Sequence, residues 1–390
     1  MTVDQDLDAR KPISHWWRQA VILVMILGFS LLTLVTVKTY AGAPPIPDRV
    51  ADASGATLFS GADIKGGQEV FMKYALMEHG TIWGHGAYLG PDYSAEYLHR
   101  LAEIGRDTLA RAQFGRAFKD LAPGQALQVG EQLKLELKQN RYRAADATLV
   151  FTAAEADSWR AQDAEWKRYF NSDQGAPGLP AHYIRNDAEL TRLNAYFAWA
   201  TWATVANRPG AGFSYTNNWP FEPMVGNGPT ASAYLWSALS LLTLVGGLGL
   251  ILFLFGKFDF LGWGSGAHRP VAPGRLQSWV LTPSQKALGL YFAVVMLLFL
   301  LQAGVGGVLA HYRVETQGFY GFDLARILPY NLARTWHLQL AIFWIATSWV
   351  AGGLFLAPLV GGAEPRGQRA GVLVLLGALA IVVFGSLGGE

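Results

Sequence analysis

The stretch Ala333-Arg-Thr-Trp-His-Leu-Gln-Leu-Ala-Ile-Phe-Trp-Ile-Ala-Thr347 begins polar and then runs almost wholly apolar, with one histidine, His337, near the changeover. It reads as the outer end of a membrane helix. In a bilayer a polar group must find its partner within the protein, because an unsatisfied one in hydrocarbon costs several kcal/mol. His337 therefore marks either a bond to a neighbouring helix or a ligand position.

Around this stretch, five segments meet the length of about 20 apolar residues that a span requires. They cover 17–40, 231–255, 287–311, 332–360 and 370–387. Charged residues make up 15% of the 390-residue chain, against about 25% in soluble domains. The deficit lies in 19–37 and 231–390, while 41–230 has the charge content of a soluble domain. The expectation is a polytopic, all-α membrane bundle with five spans and one large water-facing helical insert. Its parts are 1–40 (N-terminus and first span), 41–230 (outer domain) and 231–390 (four spans).

Basic residues orient the set. Arg10, Lys11 and Arg18 precede or open span one; Lys257, Arg269, Arg275 and Lys286 lie between spans two and three; Arg366 and Arg369 lie between four and five. All fall on one side if the N-terminus is cytoplasmic. The segment 41–230 is then outside, with the loop 312–331, where Glu315 and Asp323 partly balance Arg313 and Arg326. Span one exceeds a signal-peptide core and reads as an anchor, although Ala41-Gly-Ala43 has the form of a cleavage site. Span five stops at Gly385-Ser-Leu-Gly-Gly-Glu390 with no tail, so the expectation is a piece of a larger bundle.

A net charge of +2 gives no argument for nucleic acid. The absence of cysteine excludes disulfides, Fe–S clusters, thiolate zinc sites and haem attached through Cys-x-x-Cys-His.

In the outer segment, Ile64, Val70, Phe71, Tyr74, Ala75 and Leu76 predict a helix over 63–78. A Gly-rich stretch, His79-Gly-Thr-Ile-Trp-Gly-His-Gly-Ala-Tyr-Leu-Gly-Pro-Asp92, follows. Ser94 is the expected cap of the next helix, with Glu96 in its first turn. That helix turns Tyr97, Leu98, Leu101, Ile104 and Leu109 inward. Further helices are predicted over 152–170 and 188–206. The exit, Phe213-Ser-Tyr-Thr-Asn-Asn-Trp-Pro-Phe-Glu-Pro223, is aromatic and rich in turns, as suits a chain returning to the interface.

Haem iron is one of the few partners that suits a neutral imidazole in an apolar pocket. Arg334, at the outer edge of the same span, is placed to pair with haem propionates. His311 and Glu315 end span three on one helix face. An imidazole and a carboxylate there suit a quinol that must release protons as it gives up electrons; the alternative is an ordinary ion pair at a solvated helix end. Glycines around Tyr88 permit close approach to a ligand or to another chain segment, or simply a tight turn. His79 and His85 have no third ligand at a metal-site spacing and read as polar loop residues. No span holds the several His and Glu that a non-haem iron or copper centre needs.

Four motifs together carry a resemblance: Trp83-Gly-His-Gly-Ala-Tyr-Leu-Gly-Pro-Asp92, Tyr215-Thr-Asn-Asn-Trp-Pro220, Gly318-Phe-Tyr-Gly321 and Arg334-Thr-Trp-His-Leu-Gln-Leu340. From span one onward the chain resembles the quinol-dependent nitric oxide reductases, single-chain members of the haem–copper oxidase superfamily. The resemblance implies a periplasmic domain of cytochrome c fold that has lost its haem. Leu76-Met-Glu-His-Gly80 stands where related cytochrome c chains have Cys-x-x-Cys-His. It implies His337 as an axial ligand of a low-spin haem b, His311 and Glu315 as quinol-site residues, and Tyr88 and Glu390 near a calcium ion by the propionates. The second haem b ligand, the high-spin haem ligand and the non-haem iron site are expected beyond residue 390. The implied setting is the bacterial inner membrane in denitrifying electron transport. The implied partners are the lipid bilayer, quinol and the C-terminal half of the same chain; a homodimer is compatible, and nucleic acid has no place. The competing expectation is a non-catalytic membrane-anchored protein whose outer domain binds a partner or ligand.

Overall fold

The computed structural model describes residues 15–172, 175–258 and 280–389. The basic residues Arg10, Lys11, Arg269 and Arg275 and the terminal Glu390 lie outside the described residues. The chain divides into two units, Met1–Ile46 and Pro47–Glu390. In the first, helix α1 spans His15–Ala41 and covers the first expected span.

The second unit opens with short strands and helices: β1 (Arg49–Ala51), β2 (Thr57–Ser60), α2 (Gly61–Lys73), β3 (Thr81–Ile82), β4 (His85–Gly86), α3 (Tyr93–Phe114), α4 (Pro123–Lys138), β5 (Tyr142–Arg143), β6 (Thr148–Val150), α5 (Ala153–Asn171) and α6 (Asp187–Val205). Every residue of α6 from Leu193 to Val205 is buried. A helix covered on all sides is a core element, and α2, α3 and α5 pack around it. The interior is aromatic. Tyr93 and Phe197 stack at 4.8 Å, with Trp166, Phe170 and Phe71 against them.

The domain is predominantly helical, as expected, but it also carries a four-stranded sheet in the order β2-β1-β6-β5 and a ribbon of β3 and β4. β1 pairs parallel to β6, with Val50 opposite Leu149. Strands of two to four residues are too short for an alternating pattern to register. Helix α4 was not anticipated. It starts with Pro123 at its first position and buries Val129, Leu133 and Leu137 at four-residue steps.

Two predicted details are corrected. The helix expected over 63–78 stops at Lys73; Ala75 adopts a left-handed conformation (φ 46°) and Leu76–Glu78 form a 3₁₀ turn. The apolar spacing runs on because Leu76 still reaches the core after the break. The cap of α3 is Asp92 rather than Ser94. The Asp92 carboxylate accepts from the Ala95 amide at 2.8 Å, and Ser94 donates its hydroxyl to that carboxylate at 2.6 Å. Asp92 also accepts from Thr81 Oγ1 at 2.5 Å and the Gly84 amide at 2.8 Å, so one side chain starts α3 and fixes the preceding loop.

The remaining helices are α7 (Ala231–Phe258), α8 (Pro283–Ala287), α9 (Gly289–Glu315), α10 (Tyr330–Gly361) and α11 (Gln368–Gly388). With α8 and α9 continuing as one span, five helices among the described residues are long and apolar enough to cross a membrane. Their ends differ from the predicted ones by a few residues, chiefly because polar terminal turns carry no hydropathy signal. α9 and α10 form the main helix pair, through Leu298, Val305, Ala333 and Leu340. α11 is tied to it by Tyr291 Oη donating to the Val372 carbonyl at 2.7 Å and Trp336 Nε1 donating to the Leu387 carbonyl at 3.1 Å.

The domain that precedes α7 is bonded to the start of α10 and to the loop before it. The Tyr330 amide donates to the Gly178 carbonyl at 2.9 Å, Gln317 Nε2 to the Ala176 carbonyl at 2.9 Å, and Asn331 Nδ2 to the Tyr74 carbonyl at 2.9 Å.

Candidate functional site

His337 lies near the start of α10 and its ring turns toward α9. Its Nδ1 is 3.0 Å from the backbone carbonyl of Gln302. A carbonyl only accepts, so Nδ1 carries the proton and Nε2 is the nitrogen left for a metal. A histidine whose second nitrogen is anchored to a carbonyl is the usual arrangement of a metal ligand, because the anchor fixes both ring orientation and tautomer. The Gln302 side chain is fixed in turn, with Oε1 accepting from Trp344 Nε1 at 2.8 Å. Space for the ring is made by Gly306: a Cβ there would stand 2.8 Å from His337 Cε1. These features fit a haem ligand.

Arg334, one helical turn before His337, pairs through Nη1 with the Glu78 carboxylate on the 3₁₀ turn of the outer domain. Both side chains are partly buried. A guanidinium has five donors, so this pair leaves others for a second acceptor.

His311 and Glu315 end α9, and the structure brings them together. Nε2 and Oε1 are 3.0 Å apart but out of line for a hydrogen bond. The His311 side chain is 17% exposed and that of Glu315 34%, which puts the pair at a rim rather than in the core. Phe319 and Tyr320 fold over the imidazole, with ring centroids 4.8 and 4.6 Å away. Gly318 leaves room for the carboxylate, since a Cβ there would lie 3.0 Å from Glu315 Oε2. His311 follows Gly306 by five residues on the same helix, about 7.5 Å along its axis. Five residues also turn about 140° around the helix, so His311 and the glycine that faces His337 lie on different faces of α9.

The Gly-rich loop serves the chain itself. A Cβ on Gly86 would stand 2.8 Å from the Met77 carbonyl, and one on Gly90 would overlap the His79 ring. Ala87 and Leu89 pack against Tyr312 of α9 and Tyr330 of α10. Tyr88 is exposed and donates its hydroxyl to the Gly84 carbonyl at 3.3 Å. Among the described residues no three His, Asp or Glu gather as a metal site.

His85 is exposed, but His79 is more than a polar loop residue. It is fully buried, with Nε2 on the Pro177 carbonyl and Nδ1 on Tyr93 Oη, both at 2.8 Å. The carbonyl requires a proton on Nε2, so Nδ1 accepts from Tyr93. Burial holds its pKa down to about 4, opposed by the bond to Pro177. With both nitrogens engaged, it is not an open metal ligand.

Glu78, Gln302 and Gly306 were missed as functional neighbours. A glutamine set in the apolar run Leu300-Leu-Gln302 was a visible signal; the reach of Glu78 to Arg334, far along the chain, left none.

A half-buried histidine bonded between two membrane helices, with a His–Glu pair at the end of one of them, marks the class: a polytopic membrane protein with a candidate ligand site. Two known families match the chain and agree with that class. The family described as "Cytochrome C and Quinol oxidase polypeptide I" matches residues 286–389, the part containing α9, α10 and α11. The NorB cytochrome c-like domain family of nitric oxide reductases matches residues 47–221, the water-facing domain. No curated protein matches the chain. The two matched segments make the chain a NorB-like member of the haem–copper oxidase superfamily, an enzyme class that uses haem.

Proposed function

We propose that this chain is the quinol-oxidising, haem b-binding part of a nitric oxide reductase. The observation that carries the reading is the His337 ring, anchored at Nδ1 on Gln302 and seated against Gly306 with Nε2 left to bind iron. A haem held there supplies a one-electron relay. Arg334 would hold a propionate with donors that Glu78 does not use.

Quinol oxidation releases two electrons and two protons. His311 and Glu315 are the acid–base pair for those protons, at a rim open to water, under the rings of Phe319 and Tyr320. An imidazole bordered by two aromatic rings gives a quinol ring both a proton acceptor and a stacking surface. The electrons serve the reduction of two nitric oxide molecules to nitrous oxide and water, with two protons consumed. That step would need a high-spin haem and a non-haem iron as well.

The chain would sit in a bacterial inner membrane with the domain of residues 47–221 in the periplasm. Lys257, Lys286, Arg366 and Arg369 then flank the spans on the cytoplasmic side.

The test is a reduced-minus-oxidised optical spectrum of the haem-loaded protein and of His337→Ala. Loss of the low-spin haem b signal supports the reading. An unchanged spectrum removes His337 from the iron, and a protein that never acquires haem favours a non-catalytic anchor with a partner-binding domain. Reduction by quinol in His311→Ala and Glu315→Gln separates the second assignment: slower reduction with an intact spectrum is expected.

A further inference from the structure

The ion pair between Glu78 and Arg334 joins two parts of the chain with different tasks. Glu78 belongs to the outer domain, and Arg334 stands one turn from His337 on α10. The contact is held on several sides. The left-handed Ala75 turns the chain so that Leu76 is buried and Glu78 meets the span. Beside it the Tyr74 carbonyl accepts from Asn331 Nδ2 at 2.9 Å, and the Gly178 carbonyl accepts from the Tyr330 amide. Arg334 and Glu78 are 29% and 21% exposed, so solvent screens their charges less than at an open surface.

We infer that Glu78 is a positioning residue for electron entry: by holding and partly neutralising Arg334, the haem-free outer domain sets the reduction potential of the iron at His337. The inference rests on the reading of His337 as haem ligand. Reduction of ferric to ferrous iron adds one electron, supplied by quinol, so a nearby positive charge favours the reduced form and a negative one opposes it. Arg334 alone would raise the potential. Glu78 offsets that pull and fixes where the guanidinium points.

The experiment is spectroelectrochemical titration of the haem-loaded protein, comparing wild type with Glu78→Gln, Arg334→Gln and the double variant. Electrostatic tuning predicts shifts of opposite sign: upward for Glu78→Gln, downward for Arg334→Gln, and a return toward wild type when both are changed. Glu78→Asp should stay close to wild type. Equal potentials in wild type and Glu78→Gln, with the haem spectrum intact, would overturn the inference. So would shifts of the same sign in the two single variants, which is what a mere strut between domain and span would give. Should Glu78→Gln alone fail to assemble, the double variant compared with Arg334→Gln isolates Glu78: a higher potential in the double variant supports the inference and an equal one refutes it. A haem spectrum untouched by His337→Ala would instead refute the underlying ligand assignment, an outcome distinct from all of these.

Discussion

The imidazole of His337 occupies the space that a side chain on Gly306 would need, with Cε1 2.8 Å from the position of an added Cβ. The neighbouring Gly307 has nothing within 4 Å of its corresponding position. The two glycines are therefore unequal. Gly306→Val should push the ring off the Gln302 carbonyl and diminish or abolish the low-spin haem signal. Gly307→Ala should leave it intact. Optical spectra of both variants, purified from the same membranes, provide the comparison; equal spectra would show that Gly306 does not seat the ring.

His79 makes the outer domain sensitive to acid. Its folded pKa is about 4, below the ordinary value of 6.5. Above pH 6.5 the ring is neutral in both folded and unfolded chains and has no effect. Between 6.5 and 4 the unfolded chain takes up the proton first, so stability falls as pH falls; below 4 the loss levels off. The depression corresponds to about 3 kcal/mol. Thermal unfolding followed by tryptophan fluorescence should show this decline between pH 6.5 and 4. In His79→Gln, which keeps a donor and an acceptor, that share of the pH dependence should be missing.

Asp92 is a single point of failure for the loop that meets the spans. Its carboxylate accepts from Ala95, Ser94, Thr81 and Gly84. Asp92→Ala removes the cap of α3, costing about 1 kcal/mol, and leaves buried donors unpaired at about 1–3 kcal/mol more. The freed loop also carries Ala87 and Leu89, which touch Tyr312 and Tyr330. Faster proteolysis between Trp83 and Asp92 than in wild type is the expected sign. An unchanged cleavage rate would mean that the glycines alone hold the loop.

The spans were legible because hydropathy over some 20 residues is a long, redundant signal, and the helices stand within a few residues of their predicted ends. The pairing of His311 with Glu315 was legible for a similar reason, since four residues on one helix fix a geometry. The short strands were not, because β3 and β5 each offer two residues. Asp92 was passed over for Ser94 because both are good caps two positions apart, and only the contacts from Thr81 and Gly84 decide between them. Glu78 stayed hidden because its meaning lies in Arg334, which the sequence places in a different domain. Local periodicity shows which face is buried; it does not show which partner from a distant segment will cover it.

The close approach of α2 to α6 in the outer domain should be equally selective. A Cβ on Gly67 in α2 would overlap the Arg192 carbonyl and stand 2.7 Å from Tyr196 Cβ in α6. Backbone on one side and the root of a buried tyrosine on the other cannot move away independently. On Gly66 the nearest atom is Cδ of the Arg192 side chain at 3.1 Å, the middle of a flexible arm. Gly67→Ala should therefore separate α2 from α6 and cost about 1–3 kcal/mol. Gly66→Ala should be neutral, or stabilising by up to about 1 kcal/mol, because alanine favours a helix. Denaturant unfolding of the two variants decides the matter: equal midpoints would mean that α2 and α6 do not meet through Gly67, and the packing of every other helix around α6 would have to be reconsidered with it.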